Sequence, residues 1–287
     1  MNQQDRYLEV LNYIDANLDR ELDLQVLAEV AHISRYHFHR QFSGFVGMSV
    51  MALCKLLRLK RAAYQLAYRE DLKIIDVAFG CGYDSQEAFT RAFKKHFSQT
   101  PLQFKTNPNW EPWQTQYEPI QKLRNRIMGK NKHYDINLVD FPEVKIAVIE
   151  HHGAPHLLGQ TISSFIHWRK TNGLPPNKSR TFNLVYDDPA ATKPEDFQFD
   201  IACEVFSPVE KNNHNVINKV IPQGKCAVAR HVGSDDGLES VVRYLYSEWL
   251  PSSGYELRGF PLFFERVSFF PDVAEHEMVT DVYLPIS

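Results

Sequence analysis

Residues 27–42 of the chain read LAEVAHISRYHFHRQF, and residues 77–93 read VAFGCGYDSQEAFTRAF. The two stretches share alanine, serine and phenylalanine positions, and the aligned pairs are Ala28/Ala78, Ser34/Ser85, Phe38/Phe89 and Phe42/Phe93. The spacing is 50 residues for the alanines and 51 for the other pairs, so the second stretch contains one inserted residue. A repeat of this kind indicates that one structural unit occurs twice, and the first part of the chain is organised around the two copies.

Each copy has the pattern of a helix, a tight turn and a second helix. Ser34 and Ser85 precede the second helix, at the N-cap position where a hydroxyl can accept a hydrogen bond from an unpaired backbone N–H. The two phenylalanines of each second helix are four residues apart and therefore share one face. The opposite faces carry side chains that can hydrogen-bond base edges in a major groove, and these are Tyr36, His39 and Arg40 in the first copy and Gln86, Glu87, Thr90 and Arg91 in the second.

A single copy could be either an ordinary helical hairpin with a solvated polar face or a unit that reads DNA. Two copies with the same turn and the same apolar spacing favour the helix-turn-helix interpretation. Between them, residues 49–69 have the apolar spacing of one helix, about 30 Å long at 1.5 Å per residue. Since successive major-groove faces lie about 34–36 Å apart, we expect one chain to place both second helices in adjacent grooves, with a slight bend of the duplex if the linker helix is rigid.

Further motifs extend over residues 5–106, and they are Leu27-Ala28, Ser34, Phe42, Arg58-Leu59-Lys60-Arg61-Ala62, Ala78, Gly82-Tyr83, residues 89–95 and Thr100-Pro101. Together they resemble the DNA-binding domain of the AraC/XylS family. Ser98 stands where that family usually has glycine and Lys105 where it usually has arginine, and neither position is expected to read bases. The resemblance implies base-reading positions, which are Tyr36, His39 and Arg40 in the first copy and Gln86, Glu87 and Arg91 in the second.

The position of this domain, ahead of a larger C-terminal region, resembles the Rob-like branch of the family. That resemblance implies double-stranded DNA and RNA polymerase as partners and activation of transcription as the function. It does not imply which DNA sequence is read, because the side chains at base-reading positions vary between members.

Length and composition are those of a globular protein with two domains. The chain has 287 residues, of which 44% are hydrophobic and 23% charged. Residues 1–132 contain 19 Lys and Arg against 14 Asp and Glu, whereas residues 133–287 contain 13 against 21. A basic part ahead of an acidic part suits a DNA-binding module joined to a region that does not bind DNA. There is no N-terminal signal pattern and no apolar run of 18 residues, so we expect a cytoplasmic protein with no membrane partner.

The sequence predicts neither a metal site nor a cofactor. Its cysteines form no CxxC pair and are expected to be buried free thiols; they are Cys54, Cys81, Cys203 and Cys226. The histidines at positions 37 and 39, and at 151, 152 and 156, lack the accompanying cysteine or carboxylate spacing of a metal site.

A second repeat follows residues 109–133, a proline-containing, basic stretch that we interpret as a linker. Residues 145–153 read KIAVIEHHG, and residues 225–233, eighty positions later, read KCAVARHVG. Each stretch has the pattern of a strand and is followed by an amphipathic helix with a tryptophan near its end, Trp168 or Trp249.

The two repeats together predict a multidomain protein. We expect an all-α N-terminal domain over residues 1–108, with two helix-turn-helix units joined by a linker helix. We expect an α+β C-terminal domain over residues 134–287, built of two halves related by a pseudo-two-fold axis. A concave site between the halves would follow from this arrangement.

Short motifs occur in a fixed order along the second domain, and they are Gly153, Tyr186-Asp187-Asp188-Pro189, residues 221–224, residues 231–233, residues 249–254 and Phe264-Glu265. In this order they resemble the GyrI-like (gyrase-inhibitory-protein-like) domain, over about residues 140–287. The resemblance implies a module that holds amphipathic, often cationic or aromatic, small molecules between its halves. It also implies that Glu265 faces the pocket.

Alternation along the strand around Glu265 predicts that Phe263 and Glu265 share one face of the sheet and that Phe264 lies on the other. A carboxylate among aromatic rings is costly to bury unpaired, and it can bind a cation to which the ring faces add attraction. The alternatives are solvent exposure and a salt bridge, for example with Arg258 or near Arg266. Candidate pocket walls, each of which also suits an ordinary core position, are Tyr186, Trp168, Trp249, Phe263 and Tyr283.

The combined pattern predicts a transcription regulator that reads DNA with its first domain and senses a small-molecule effector with its second. Two alternatives for the second domain stay open. It could be a hydrolase of reactive small molecules with Glu265 as general base, or a ligand-free protein-interaction module. Because the spacing supports no pair of nucleophile and base, we predict no catalytic residues and do not expect an enzyme.

Overall fold

The computed structural model describes residues 3–18, 20–69, 71–128, 133–189, 191–270 and 272–287. The chain forms two compact units. The helical unit comprises Met1–Lys132 together with two short later segments, Ser234–Gly237 and Phe270–Glu277. The sheet unit comprises His133–Gly233, Leu238–Phe269 and Met278–Ser287.

The first part of the helical unit confirms the two predicted helix-turn-helix units and the helix between them. Its helices are α1 (Gln3–Ala16), α2 (Leu24–Val30), α3 (Arg35–Val46), α4 (Val50–Tyr68), α5 (Ile74–Gly80), α6 (Gln86–Phe97), α7 (Pro101–Thr106) and α8 (Glu111–Met128). Helices α2 and α3 form the first helix-turn-helix unit, α5 and α6 form the second, and α4 joins them. Among the described residues, no single helix is long and apolar enough to cross a membrane, although α3 and α4 meet those limits as a pair bent by 56°.

The phenylalanine pairs of α3 and α6 lie in the core of the helical unit, as their spacing predicts. Phe38, Phe42, Phe89 and Phe93 are fully buried. The ring of Phe93 stacks on that of Phe97 with 4.3 Å between centroids. Burial of these rings fixes the rotation of both helices about their axes, so their polar faces must point away from the core.

The prediction that residues 109–133 form a linker differs from the structure. Helix α8 spans most of the stretch, and Trp113, Tyr117 and Ile120 on it are buried in the core of the helical unit. The Trp113 indole Nε1 donates to the Leu56 carbonyl at 3.2 Å. The apolar side chains recur at helical spacing, and this signal is obscured by the prolines and basic residues between them. Residues 129–132 of the stretch lie outside the described residues.

A buried ion pair lies in the helical unit near α8. Lys60 Nζ on α4 is 2.5 Å from Glu275 Oε1, and the Ser234 hydroxyl donates to the same oxygen at 2.6 Å. Burial by itself lowers the pKa of Lys60, but Glu275, Tyr117 and Asp236 together outweigh it and the pKa of Lys60 is raised. Burial likewise raises the pKa of Glu275, yet Lys60 and Arg124 lower it below its ordinary value. The two charges are therefore retained together inside the unit.

The sheet unit is one eight-stranded antiparallel sheet with helices. Its strands are β1 (Ile136–Phe141), β2 (Val144–His152), β3 (Thr181–Val185), β4 (Gln198–Glu204), β5 (Ile217–Ile221), β6 (Gly224–Val232), β7 (Leu262–Arg266) and β8 (Val279–Pro285). Helix α9 (Leu158–Thr171) follows β2, and α10 (Leu238–Tyr244) follows β6, continuing through the π-helical Leu245–Trp249 into α11 (Leu250–Ser253). The strand order is β1-β6-β8-β7-β3-β4-β2-β5.

This order confirms two α+β halves and adds an exchange of edge strands. Each half consists of a His-x-Gly strand, a helix and two further strands, and the halves join where β3 pairs with β7 at the centre of the sheet. Strand β1 precedes β2 in sequence but pairs with β6, whereas β5 precedes β6 but pairs with β2. The edge strand that pairs with each half is therefore the one that precedes the other half in sequence. This exchange joins the two halves into one sheet.

The two faces of the sheet bury different cores, because side chains alternate along each strand. On β2, Ala147 and Ile149 pack with α9, whereas Ile146 and Val148 face the other way. We call this other side the aromatic face, defined by Phe141, Phe182, Phe263 and Tyr283. Helices α9 and α10 therefore lie on the side opposite to the aromatic face.

All four cysteines are free and buried. Burial raises the pKa of the Cys54 and Cys81 thiols to about 11. Within the part of the chain that the structure describes, no group of three or more His, Cys, Asp and Glu side chains is placed to hold a metal ion.

Candidate functional site

The first recognition face, defined by Tyr36, His39 and Arg40, is exposed on α3. The Tyr36 side chain is 88% exposed, which is unusual for so large a ring, and His39 and Arg40 are also exposed. All three lie opposite the buried phenylalanines of the same helix. The face is therefore available to a partner without any rearrangement of the core.

The second recognition face, defined by Gln86, Glu87, Thr90 and Arg91, lies at the corresponding place on α6. Thr90 is half-buried, and the other three side chains are exposed. Helix α6 begins with the predicted cap, since the Ser85 hydroxyl accepts from the Ala88 backbone N–H at 3.2 Å. Ser34 occupies the same position before α3, but its side chain makes no cap hydrogen bond. The prediction that the Ser34 hydroxyl caps α3 is therefore wrong, although Ser34 has the extended backbone of an N-cap residue.

Helix α4 holds the two helix-turn-helix units apart. It has 19 residues, which corresponds to about 28 Å at 1.5 Å per residue. The Arg58 side chain ties α4 to the end of α1, because its Nε donates to the Leu18 carbonyl at 2.9 Å. Lys105 Nζ donates to the Leu72 carbonyl at 2.7 Å, just before α5. Arg58 of the family motif and Lys105, which stands where the family usually has arginine, thus have structural partners away from both recognition faces.

The second candidate site lies on the aromatic face, where the two halves of the sheet meet. Phe263 and Tyr283 are paired on β7 and β8, and their rings stack with centroids 4.8 Å apart. The Phe141 ring contacts both edge-on, with a centroid distance of 5.1 Å in each case. On the other side of Glu265, Phe182 is its direct partner across the β3–β7 pairing.

Glu265 is the acidic group within these rings. The Tyr283 hydroxyl donates to Glu265 Oε2 at 3.1 Å, and the carboxylate side chain is only 16% exposed. Burial raises the pKa of Glu265, which Arg180 and the Tyr283 hydrogen bond only partly offset. Arg180 and Tyr283 therefore do not fully offset the cost of burying the charged carboxylate. A further cation would stabilise the charged form.

Arg180 is the charged residue of this site that sequence reasoning missed. Its Nε and Nη2 donate to the two Glu204 carboxylate oxygens at 2.9 and 3.1 Å, and Nη1 is 4.0 Å from Glu265 Oε1. The sequence-based alternative placed a salt bridge with Arg258 or near Arg266. In the structure, Arg266 Nε instead donates to Asn183 at 2.9 Å. Only the pairing of β3 with β7 brings Arg180 to Glu265, which is 85 positions away in the sequence.

Tyr186 belongs to a separate polar cluster of the sheet unit. Its hydroxyl donates to Asp200 Oδ2 at 2.8 Å. Lys219 Nζ bridges Asp200 and Glu150, at 2.7 Å from each, and lies 5.7 Å from the Tyr186 ring centroid.

The structure does not bring Trp168 and Trp249 to Glu265. Trp168 lies on α9 and packs with Phe165 and Cys203 on the side opposite to the aromatic face, and it borders a cleft of about 540 Å³ that Phe206 also lines. Trp249 stacks with Tyr255 at 6.2 Å, beside the core under α10. Of the six predicted ligand residues, the structure places Glu265, Phe263 and Tyr283 together.

Comparison with known proteins identifies the family of each domain. Residues 134–287 match the model of the GyrI-like small molecule binding domain, which is more than half of the chain. The chain belongs to the GyrI-like family. Residues 27–107 match a helix-turn-helix domain model of the AraC type.

Relatives of this GyrI-like protein include two that are named as transcriptional regulators and one that is named as an origin-binding protein. It is 40% identical to the probable transcriptional regulator YgiV of Escherichia coli K12 over 158 residues, which cover 55% of this chain and 99% of the relative. It is 34% identical to the right origin-binding protein of the same organism over 146 residues, 51% of this chain and 49% of the relative. It is 34% identical to the transcriptional regulator Rob of Salmonella typhimurium LT2 over 110 residues, 38% of each chain. The protein is a transcriptional regulator that combines an AraC-type helix-turn-helix domain with a GyrI-like small-molecule-binding domain.

Proposed function

We propose that this GyrI-like regulator reads two adjacent major grooves of double-stranded DNA with its two recognition faces. The observation that carries the proposal is the duplication of one exposed polar face, on α3 and on α6, around a single linker helix. Base-edge hydrogen bonds from the recognition faces supply specificity. Nearby exposed lysines such as Lys94 and Lys95 supply sequence-independent attraction to phosphates.

Selection of bound duplexes from a random DNA pool by the full chain, at near-physiological salt, tests this proposal. We expect a bipartite site with two short blocks about 10–10.5 base pairs apart, one block for each recognition face. A single enriched block would mean that only one face reads bases. Absence of enrichment would contradict sequence-specific binding by the protein in its unliganded form.

The effect on transcription is proposed as activation through contact with RNA polymerase, which the resemblance to AraC/XylS proteins supports. The test is transcription in vitro from a promoter that carries the selected site beside its core elements. More transcript in the presence of the protein is the expected result, and less transcript would identify a repressor.

We further propose that the sheet unit senses amphipathic cations at Glu265. The carboxylate, the aromatic rings of Phe263 and Tyr283, and the raised pKa of Glu265 support this class of ligand. A bound cation would gain charge attraction from Glu265 and a contribution from the electron-rich ring faces. An anion of the same shape would gain neither.

Tetraphenylphosphonium and tetraphenylborate are suitable probes, since they have nearly the same shape and opposite charge. Titration calorimetry of the full chain should show saturable binding of the phosphonium and much weaker binding of the borate. Glu265→Gln should weaken phosphonium binding by about tenfold, or 1.4 kcal/mol. Glu256→Gln, which changes an exposed glutamate of the same unit, is the matched control and should leave it unchanged. Binding of neither ion would favour the protein-interaction alternative.

A further inference from the structure

We propose that Arg180 is an internal cation that occupies part of the Glu265 site in the unliganded protein, and that a cationic ligand binds there by displacing it. This inference rests on the proposed ligand function. It assigns to Arg180 the role of setting the affinity and charge selectivity of the site. The argument uses the position of the guanidinium, its unequal bonding to two carboxylates, and a comparison with a second cation in the same sheet.

The guanidinium of Arg180 lies on the aromatic face, against rings that a ligand would use. Its central carbon is 5.2 Å from the Phe182 ring centroid and 5.9 Å from that of Phe141. The Phe141 ring in turn contacts both Phe263 and Tyr283. A planar cation within about 6 Å of an aromatic face is the arrangement by which proteins attract cationic ligands, so Arg180 resembles such a ligand bound within the chain itself.

Arg180 is bonded unequally to its two carboxylates. With Glu204 it forms a forked pair of two hydrogen bonds at 2.9 and 3.1 Å, whereas its closest approach to Glu265 is 4.0 Å. The forked geometry satisfies Glu204. Glu265 receives a long-range attraction from Arg180, another from Arg230 and one hydrogen bond from Tyr283. Of the two acids, Glu265 is therefore the one that an external cation can still neutralise.

Of the three side chains, Arg180 is the most exposed to solvent. The Arg180 side chain is 37% exposed, compared with 21% for Glu204 and 16% for Glu265. A small rotation of Arg180 toward solvent can keep its bonds to Glu204 while it vacates the space in front of Glu265. The two carboxylates, held on β4 and β7, stay in place.

Lys219 provides a comparison within the same unit. It also stands near an aromatic ring, that of Tyr186, and between two carboxylates. However, it is 2.7 Å from both Asp200 and Glu150, so each acid there already has a short contact with the ammonium group. An external cation would have to break one of those short contacts. This difference points to the Arg180 site, and not the Lys219 site, as the place where a cation enters.

The test compares Arg180→Met with Arg243→Met in the full chain, with phosphonium affinity measured at pH 8 to keep Glu265 ionised. Methionine keeps an apolar stem of similar length without the charge. Arg243 is the control, because it is an exposed arginine of the same unit and lies on α10, on the side opposite to the aromatic face. We expect Arg180→Met to tighten phosphonium binding about tenfold or more and Arg243→Met to change it by less than about threefold.

A second variant separates displacement from a general change of charge. In Glu204→Gln the guanidinium loses its stronger partner and should move closer to Glu265, so phosphonium binding should weaken. If this effect acts through Arg180, it should largely disappear when Glu204→Gln is combined with Arg180→Met, as a double-mutant cycle would reveal. Circular dichroism and thermal unfolding of each variant establish that the fold is retained.

Three results would overturn the inference. Unchanged or weaker phosphonium binding by Arg180→Met would overturn it while leaving the proposed cation site intact. Tetraphenylborate binding that is lost in Arg180→Met would show that Arg180 binds anionic ligands instead. Absence of phosphonium binding by both the wild type and Arg180→Met would overturn this inference and the proposed ligand class together.

Discussion

Gly47 and Ser98 end the two recognition helices in the same left-handed backbone conformation, with φ of +85° and +58°. They occupy equivalent positions of the repeat, 51 residues apart. Glycine adopts this conformation without strain, whereas a residue with a Cβ pays about 1–2 kcal/mol for it. The second helix-turn-helix unit therefore carries a strained residue at the place where the first does not.

This difference predicts opposite effects of exchanging the two residues. Ser98→Gly should raise the free energy of unfolding of the helical unit by about 0.5–1 kcal/mol, and Gly47→Ser should lower it by about 1 kcal/mol. No atom outside the neighbouring residues and the helix backbone lies within 4 Å of a Cβ built at Gly47, so the loss would arise from the backbone. Denaturant-dependent hydrogen exchange of the slowest amides measures the free energy of unfolding of both variants. Stabilisation of equal size by Ser98→Ala would contradict the strain explanation.

The recognition faces predict a pair of DNA-binding defects. Arg40→Ala and Arg91→Ala should each weaken binding to the selected duplex by about 1–3 kcal/mol, because each removes contacts to base edges. Fluorescence anisotropy with the selected duplex and a scrambled duplex measures the loss of specificity. Lys94→Ala should weaken binding to both duplexes alike, as expected for a phosphate contact. Unchanged affinity for the selected duplex in both arginine variants would contradict the proposal that these faces read bases.

The buried Lys60–Glu275 pair predicts a large effect on stability. Glu275→Gln leaves the Lys60 charge buried without its partner and should destabilise the helical unit by about 3–5 kcal/mol. The double variant Lys60→Met/Glu275→Gln should recover part of this loss, since no unpaired charge remains. Glu118→Gln breaks the exposed pair with Lys122 and should cost less than about 1 kcal/mol. Equal costs for Glu275→Gln and Glu118→Gln would show that burial contributes nothing to this pair.

The same pair predicts how stability depends on pH. Although burial by itself raises the pKa of Glu275, Lys60 and Arg124 lower it below the ordinary value of 4.5. The unfolded chain then takes up the proton more readily than the folded one as the pH falls below about 4.5. Stability from this carboxylate is therefore present above that pH and is lost below it. Unfolding measured from pH 6 to pH 3 should show a steeper loss for the wild type than for Lys60→Met/Glu275→Gln, and parallel curves would contradict this.

Helix α8 predicts that the segment after the second helix-turn-helix unit is part of the fold. Trp113→Ala should destabilise the helical unit by about 3–5 kcal/mol, because it removes a buried ring and its hydrogen bond to Leu56. Gln114→Ala, at the neighbouring exposed position, should change stability by less than about 0.5 kcal/mol. Hydrogen exchange of the core amides distinguishes the two variants. If Trp113→Ala destabilised the helical unit no more than Gln114→Ala, this stretch would contribute little to stability, as expected for a linker.

The sequence by itself determined the features that depend on local spacing. Phenylalanines four residues apart predicted which sides of α3 and α6 are buried and thus which polar residues are exposed. Alternation along β7 predicted that Phe263 and Glu265 share a face. The two repeats predicted the helix-turn-helix pair and the two-half sheet. Each of these follows from the fixed geometry of a helix or a strand, which a few consecutive residues already express.

Only the tertiary structure decided which distant segments meet. The exchange of β1 and β5 between halves, the presence of Phe270–Glu277 in the helical unit, and the approach of Arg180 to Glu265 all depend on pairings between residues far apart in the chain. Several pairings would satisfy the same local pattern, since any strand with the right alternation can pair at an edge. The choice among them is made by the total burial of the folded core, which no short stretch of sequence contains.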